Sequence, residues 1–250
     1  MIELELTVLG KYSPFAPARG ACVGYWISEG GSGVLLDTGP GTLARFQEKV
    51  GPLSMIRSVV LSHLHFDHIS DFMVLRYAAA SDARYRSLPP RVAVYAPSEP
   101  STEFSLLKYK DCVEAKPIEY HGDVEIGDLR LSFYPTIHAI PSCAVRVEAS
   151  DGTVLAYSGD SRPCPGLLEA ARDADLFLCE ASAVEEDADF AAPGHLTSRQ
   201  AGEIASQAGA KRLLLTHLWP LYDERDLLRE CRDVFPGADV VQELRVYSVG

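Results

Sequence analysis

The run Ser62-His63-Leu64-His65-Phe66-Asp67-His68 places three histidines and one aspartate within six consecutive positions. It directly follows the apolar segment 58–61, which is typical of a buried strand. Imidazoles this crowded repel one another when protonated and need hydrogen-bond partners when neutral. A divalent metal ion satisfies their lone pairs, and histidine and aspartate are ligands that zinc and similar ions take. The run therefore predicts part of a metal site.

The ligands within this run are expected to divide between two ions. His63 and His65 are two positions apart, so at a strand-to-loop exit they can point the same way and hold one ion. Asp67 and His68 follow around the turn and are expected to face a second ion. Further candidate ligands each follow another predicted strand, at His138, Asp160 and His217. This repetition of strand and ligand predicts a two-metal site.

The order and spacing of these residues resemble the metallo-β-lactamase superfamily. The segment Val34-Leu-Leu-Asp37-Thr-Gly-Pro-Gly is similar to the early aspartate motif of the same superfamily. The resemblance implies an α/β fold, the αββα four-layer sandwich, formed by residues 1–250 as a single domain. It implies that one ion is held by His63, His65 and His138, that the other is held by Asp67, His68 and His217, and that Asp160 bridges both. Asp37 is expected to support the metal-binding imidazoles from behind.

Three later segments resemble the ribonuclease Z branch of that superfamily, which cleaves phosphodiesters. They are Gly194-His195-Leu-Thr-Ser-Arg, Cys179-Glu180-Ala-Ser and Ser158-Gly-Asp160-Ser-Arg162-Pro. The resemblance implies that His195 binds the scissile phosphate or protonates the leaving oxygen, and that Glu180 orients His195. Such a pair suits a proton donor, because a carboxylate stabilises the imidazolium. Arg162 either stabilises phosphate charge or braces its loop.

The chain departs from the ribonuclease Z pattern in one segment. Those tRNA-processing enzymes carry a long arm between the motifs that match His138 and Asp160, whereas only 21 residues separate them here. Predicted strands at 143–149 and 153–158 use most of that length. The net charge of −12 also repels a polyanion, so extended nucleic acid is not expected as a partner and a small anionic substrate is. The basic exception, Arg84-Tyr85-Arg86 with Arg91, is either a solvated loop or a substrate-binding patch.

These observations predict a metal-dependent hydrolase. A hydroxide held between two divalent ions is a strong nucleophile near neutral pH, and Asp67 is a candidate to orient or deprotonate the attacking water. Zinc is expected from the nitrogen-rich ligand set, although manganese and iron also accept these ligands. A phosphodiesterase acting on small phosphodiesters such as cyclic nucleotides is favoured.

Three alternatives stay open. A lactone or thioester hydrolase needs the same metals but no pair of His195 and Glu180. A tRNA 3′-end endonuclease is disfavoured by the missing arm. A mononuclear-iron dioxygenase of the same fold is disfavoured because Asp67, His68 and His217 complete a second ligand set.

Composition and patterning predict a soluble globular protein, with 47% apolar and 23% charged residues. The six cysteines form no C-x-x-C pair, so buried reduced thiols are expected. The N-terminal segment 1–9 alternates apolar and acidic residues as a strand does and lacks the pattern of a signal peptide, which favours a cytoplasmic location. No membrane association is expected, and the family resemblance alone suggests a homodimer.

The predicted helices lie at 41–49, 69–80, 165–173, 197–209 and 223–233, between β-rich segments. A β-rich first part is expected to run to about residue 80 and a mixed part to follow it, with the site at the seam between two sheets. Thr197 and Gln200 are expected to form a capping box, and His121 is expected to be exposed in a turn.

Overall fold

The structure, a computed structural model, describes residues 3–81 and 92–250. Two seven-stranded mixed sheets lie face to face, and helices cover both outer surfaces. This is the predicted αββα four-layer sandwich. The segment from Arg84 to Arg91 falls outside the described residues.

The first sheet has the strand order β14-β1-β2-β3-β4-β5-β6, and β3 to β6 run parallel to one another. Its strands are β1 (Glu5–Gly10), β2 (Gly24–Glu29), β3 (Ser32–Leu36), β4 (Ser58–Val60), β5 (Val92–Ala96), β6 (Val113–Pro117) and β14 (Val246–Ser248).

The second sheet has the order β13-β12-β11-β10-β9-β8-β7, and β10 to β13 run parallel. Its strands are β7 (Asp123–Ile126), β8 (Leu129–Pro135), β9 (Cys143–Glu148), β10 (Val154–Tyr157), β11 (Leu176–Glu180), β12 (Leu213–Thr216) and β13 (Asp239–Val240).

Helices pack on the outer face of each sheet. The first sheet carries α1 (Thr42–Lys49), α2 (Phe66–Ser81) and α3 (Ser101–Leu107). The second carries α4 (Pro165–Ala171), α6 (Ser198–Ala208) and α7 (Glu224–Arg232), while α5 (Ala188–Ala191) is a single turn on the loop before α6. The predicted capping box is confirmed, because the Thr197 hydroxyl accepts from the Gln200 N–H and the Gln200 side chain accepts from the Thr197 N–H.

The apolar core between the sheets is tied together by a few buried hydroxyl groups. The rings of Tyr25 and Tyr157, one from each sheet, lie 5.2 Å apart. The Tyr25 hydroxyl lies 2.6 Å from Oγ1 of Thr216, at the end of β12. A buried hydroxyl must find a partner to avoid a desolvation penalty, so these contacts set how the two sheets align where the site is formed.

The structure differs from the sequence expectations mainly at the sheet edges. Strands β6, β7 and β13 were not predicted, and each lies at an edge of its sheet. Edge strands carry polar residues and bury only part of one face, so they show a weaker alternation than central strands. Because β5 and β6 belong to the first sheet, the boundary between the sheets falls near residue 120 instead of 80.

The expectations for the cysteines and for His121 are met. All six cysteines are buried and none forms a disulfide. His121 is exposed, with 59% of its side chain accessible. Within the described ranges, no helix is both long enough and apolar enough to cross a membrane.

Gly159, directly before Asp160, allows the chain after β10 to pass close to the neighbouring strand β9. Its φ is +57°, and a Cβ there would lie 2.5 Å from the Cys143 carbonyl oxygen. We therefore expect Gly159→Ala to lose about 2–5 kcal/mol of unfolding free energy, from left-handed strain plus overpacking. Gly152→Ala is the matched control, because its φ is +86° but a Cβ there would meet nothing within 4 Å. Equal losses for the two variants in urea unfolding of metal-free protein would contradict this account.

Candidate metal centre

The candidate ligands all lie just beyond the carboxyl ends of strands. His63 and His65 follow β4, and Asp67 and His68 occupy the first turn of α2, which begins three residues earlier than predicted. The remaining three follow strands of the second sheet: His138 after β8, Asp160 after β10 and His217 after β12. The two sheets therefore bring side chains that are distant in sequence to one edge of the sandwich.

Three imidazole nitrogens converge to form a first cluster. His65 Nδ1 lies 3.0 Å from His63 Nε2 and 3.0 Å from His138 Nε2. Ligands bound about 2.1 Å from a tetrahedral zinc lie about 3.4 Å from one another, so these separations fit a shared ion. The three nitrogens could hold a metal ion.

Asp67, His68 and His217 form a second cluster of the same kind. His68 Nε2 lies 3.2 Å from His217 Nε2 and 3.7 Å from Asp67 Oδ2. The Ser13 hydroxyl, which comes from the loop after β1, donates to Asp67 Oδ2 at 2.7 Å. Two nitrogens and one carboxylate oxygen again form a set that could hold an ion.

Asp160 lies between the two clusters. Its Oδ2 is 3.6 Å from His63 Nε2 and 3.5 Å from His68 Nε2, and its Oδ1 is 3.0 Å from His217 Nε2. The residue is 2% exposed, yet among the described residues Oδ1 has no hydrogen-bond partner of acceptable geometry. A buried carboxylate oxygen in this state carries a desolvation penalty that a cation would remove. The residues present therefore fit a metal centre with Asp160 in the middle.

Hydrogen bonds at the outer ring nitrogens fix which lone pairs face the centre. His68 Nδ1 lies 2.8 Å from Asp37 Oδ2, and His138 Nδ1 lies 2.8 Å from the Gly194 carbonyl oxygen. Both partners accept hydrogen bonds, so each Nδ1 carries a proton and each Nε2 is left to bind an ion. His217 Nδ1 is similarly 2.9 Å from the Ser182 hydroxyl, which can donate to Glu180. A Cβ at Gly194 would lie 2.6 Å from His138 Nδ1, so this approach requires glycine.

Asp37, at the end of β3, is the most heavily hydrogen-bonded of these supporting groups. Besides His68, its carboxylate accepts from the Ser62 N–H at 2.8 Å, the Ser62 hydroxyl at 2.9 Å and the Tyr157 hydroxyl at 2.7 Å. The residue is fully buried. These contacts place it behind the metal-facing imidazole, as expected for a supporting residue.

The protonation states match a site built for cations. Burial lowers the pKa of His63, His65 and His138, so these imidazoles are neutral and present lone pairs. Burial would raise the pKa of Asp160, but the surrounding histidines, His217 first, outweigh it and hold that pKa well below the usual value. The centre therefore combines an anionic carboxylate with three neutral imidazoles, the forms that bind divalent ions. At His68 burial would lower the pKa, but the carboxylates of Asp160, Asp37 and Asp67 outweigh it and raise that pKa.

A cleft of about 460 Å³ opens onto the two clusters. It is lined by Ser13, Pro14, His65, Phe66, Asp67, Asp160, Ser182, Phe190, His195, His217 and Trp219. His195 lies on the loop between α5 and α6, and its Nδ1 is 3.1 Å from Glu180 Oε2. Glu180 is completely buried at the end of β11, where it also accepts from the Ser161 N–H and the Ser182 hydroxyl. The predicted pair of His195 and Glu180 thus lies beside the metal-facing groups.

Burial lowers the pKa of His195, but the charge and hydrogen bond of Glu180 outweigh it and raise the pKa to about 9. The imidazole is therefore protonated near neutral pH. A proton is then available at the ring nitrogen that does not face Glu180.

Arg162, unlike His195, does not line this cleft. It is exposed, and its backbone N–H donates to the Ile137 carbonyl oxygen at 3.0 Å. Its contact with substrate stays a prediction.

The sequence interpretation assigned no role to Ser13, Ser182 or Tyr157, although each hydrogen-bonds a site residue. Ser182 and Tyr157 stand next to recognised motifs, and that proximity was an available signal. Ser13 is 54 positions from Asp67 and no local pattern marks it.

Comparison with known proteins agrees with the family resemblance seen in the sequence. Residues 33–218 match the family model described as the beta-lactamase superfamily domain. The chain is 34% identical over 237 residues to the probable metallo-hydrolase YhfI of Bacillus subtilis, a match that covers 94% of this chain and 95% of that protein. The crystal structure of YhfI aligns with a TM-score of 0.91 at 28% identity and covers 99% of each chain. A ribonuclease Z of Ignicoccus hospitalis is 30% identical over 288 residues and 94% of each chain.

Replacing Asp37 tests its support of His68. We expect Asp37→Asn to weaken divalent-metal affinity by about 10–100-fold, because the amide no longer holds the Nδ1 proton of His68 through a charged acceptor. Competition with a chromophoric chelator measures the change. Glu29→Gln is the control, since Glu29 is also a buried carboxylate that accepts from Ser150 but lies at the other end of the β2–β3 hairpin. Unchanged affinity in Asp37→Asn, or an equal loss in both variants, would refute the role.

Proposed function

The chain belongs to the beta-lactamase superfamily and is a metal-dependent hydrolase, and from that premise we propose that it hydrolyses small phosphodiesters such as cyclic nucleotides. Residues 1–250 act as one domain in this proposal. The observation that carries it is the pair of His195 and Glu180 beside the two metal-facing clusters, with Nδ1 and Oε2 3.1 Å apart. Ester hydrolysis at a metal centre does not in general need a proton donor, but release of a sugar or alkyl alkoxide from phosphate does.

The proposed centre holds two divalent ions, with zinc expected. His63, His65 and His138 would hold one ion, Asp67, His68 and His217 would hold the other, and Asp160 lies where it could contribute to both. When bound, the ions would supply an acidified water and offset the charge that develops on the phosphate. The neutral imidazole of His63 and the buried, ionised carboxylate of Asp160 are both suited to binding divalent ions.

The side chains of the cleft have distinct roles in the proposed reaction. Asp67, held by the Ser13 hydroxyl, orients the attacking water and accepts its proton. His195 donates a proton from Nε2 to the leaving oxygen, while Glu180 holds Nδ1–H and stabilises the imidazolium. Glu180 is itself held by Ser161 and Ser182, so the donor has a defined orientation.

Two observations support a small substrate over tRNA. The segment between His138 and Asp160 contains β9 and β10 and a short turn, so no tRNA-binding arm is inserted there. The cleft volume of about 460 Å³ is also in the range of sites for small molecules. The relative in Ignicoccus hospitalis is named a ribonuclease, which supports phosphodiester chemistry without specifying this substrate.

Metal content tests the proposed centre. We expect wild-type protein to bind two divalent ions per chain, and His138→Ala and His217→Ala each to lose one, because each removes a ligand from a different cluster. Elemental analysis after dialysis measures the stoichiometry, and His121→Ala, at an exposed histidine, is the control. A single ion in wild-type protein that His217→Ala leaves in place would contradict the pair and favour a mononuclear centre.

Leaving groups of different basicity test the proton donor. We expect His195→Ala to lower kcat on a cyclic nucleotide by about 100- to 10,000-fold, because the ribose oxygen must be protonated as it leaves. The loss of kcat on an aryl phosphodiester with a p-nitrophenolate leaving group should be much smaller, because p-nitrophenolate departs without being protonated. Metal content should be unchanged.

The pH profile of kcat is a second test of His195 as the proton donor. The donor form of His195 is lost as pH rises through its pKa of about 9. Because the Glu180 carboxylate raises that pKa, Glu180→Gln should move the basic limb of kcat to lower pH.

Equal losses of kcat in His195→Ala on both leaving groups would show that His195 binds phosphate and donates no proton. Lactone turnover without any phosphodiester turnover would overturn the proposed function itself.

A further inference from the structure

Three aromatic side chains line the cleft together with the metal-facing groups. Phe66 begins α2, Phe190 lies in α5 and Trp219 follows His217 by two positions, so the three come from distant parts of the chain. Phe66 and Phe190 are 65% and 52% exposed. Large aromatic rings that are left open in this way around a pocket are typical of a ligand-binding surface.

Two of these rings, those of Phe190 and Trp219, contact each other. Trp219 and Phe190 meet edge to face, with centroids 5.0 Å apart and planes at 88°. The ring of Phe15 also contacts Trp219, with centroids 6.1 Å apart and planes at 71°. An edge-to-face pair uses the edge of one ring, so a flat face of that ring stays available to a planar ligand.

The charges of the cleft indicate which part of a substrate meets these rings. The acidic and histidine side chains of the lining belong to the metal-facing groups and the His195 pair, and among the described residues no lysine or arginine lines the cleft. A second phosphate placed against the rings would lose its hydration without a compensating cation. The described lining therefore favours an uncharged, flat group on these rings.

We propose that Phe190, Trp219 and Phe66 form a stacking subsite for the nucleobase of a nucleoside phosphodiester whose phosphate sits at the metal centre. The inference rests on the proposed function and narrows its substrate class from phosphodiesters in general to those that carry a base. Stacking on aromatic side chains tolerates any base and contributes about 5- to 150-fold in affinity per base. The subsite thus selects for the presence of a base and not for its identity.

Paired substrates test the subsite. We expect Phe190→Leu to raise KM for a nucleoside 3′,5′-cyclic phosphate by about tenfold with kcat close to wild type, because stacking is lost while the phosphate site is intact. KM for the matched cyclic phosphate of methyl riboside, which has no base, should not change. Phe190→Tyr should restore the wild-type KM.

Tyr77→Leu is the control for loss of an exposed ring, since Tyr77 is 55% exposed on α2 and does not line the cleft. It should leave both KM values unchanged. A KM change of the same size for both substrates in Phe190→Leu, or no change for either, would overturn the subsite.

Fluorescence gives a reading that does not depend on turnover. The chain has two tryptophans, and Trp26 is only 6% exposed, so a ligand stacked in the cleft should quench Trp219 selectively. Adenosine 5′-monophosphate should quench emission of chelator-treated protein, and Trp219→Phe should abolish this response. Quenching of the same strength by ribose 5-phosphate would overturn the subsite. If wild-type protein hydrolyses no phosphodiester, the proposed function fails, while selective quenching by the nucleotide would still support base binding.

Discussion

The buried carboxylate of Asp160 lies among imidazoles from three different segments of the chain, and the rest of the site is arranged around that contact. Its oxygens are 3.0–3.9 Å from the Nε2 atoms of His63, His68, His138 and His217. A charge in this position is costly to bury unless cations or polarised donors surround it. The histidines, in turn, are held by groups behind them, chiefly Asp37, the Gly194 carbonyl and Ser182.

The sandwich architecture explains why such a constellation assembles at one edge. Parallel strands end at the same side of a sheet, and each sheet contributes its strand ends to the same seam. The buried hydroxyl contacts from Tyr25 to Thr216 and from Tyr157 to Asp37 connect the two sheets directly behind the centre. Packing of the core and geometry of the site are therefore coupled, and a Cβ at Gly159 would lie only 3.1 Å from the Cβ of Ser62, which follows β4 of the other sheet.

The metal-facing groups and the cleft walls have separate consequences for function. The clusters of histidine and aspartate could support the hydrolysis of many kinds of ester. The ions that they would bind activate water and stabilise the charge that develops on the substrate, and neither effect depends on the rest of the substrate. In the proposed function, selectivity comes from residues that do not bind metal: the pair of His195 and Glu180 favours leaving groups that need a proton, and the proposed stacking subsite favours a flat ring. His195, Phe190 and Trp219 lie on loops and a short helix outside the sheets, where they can change without disturbing the sandwich, whereas Glu180 is part of β11.

The sequence by itself determined the family, the αββα fold and the predicted ligand set, because each ligand stands at the end of a strongly apolar strand and the motifs keep a specific order. It did not reveal the edge strands β6, β7 and β13, whose polar residues mask the strand pattern. It also gave no sign of Ser13 beside Asp67, or of Phe15, Phe190 and Trp219 meeting one another. Such contacts join residues far apart in the chain and follow no local periodicity, so only the packing of the two sheets and their loops brings them together.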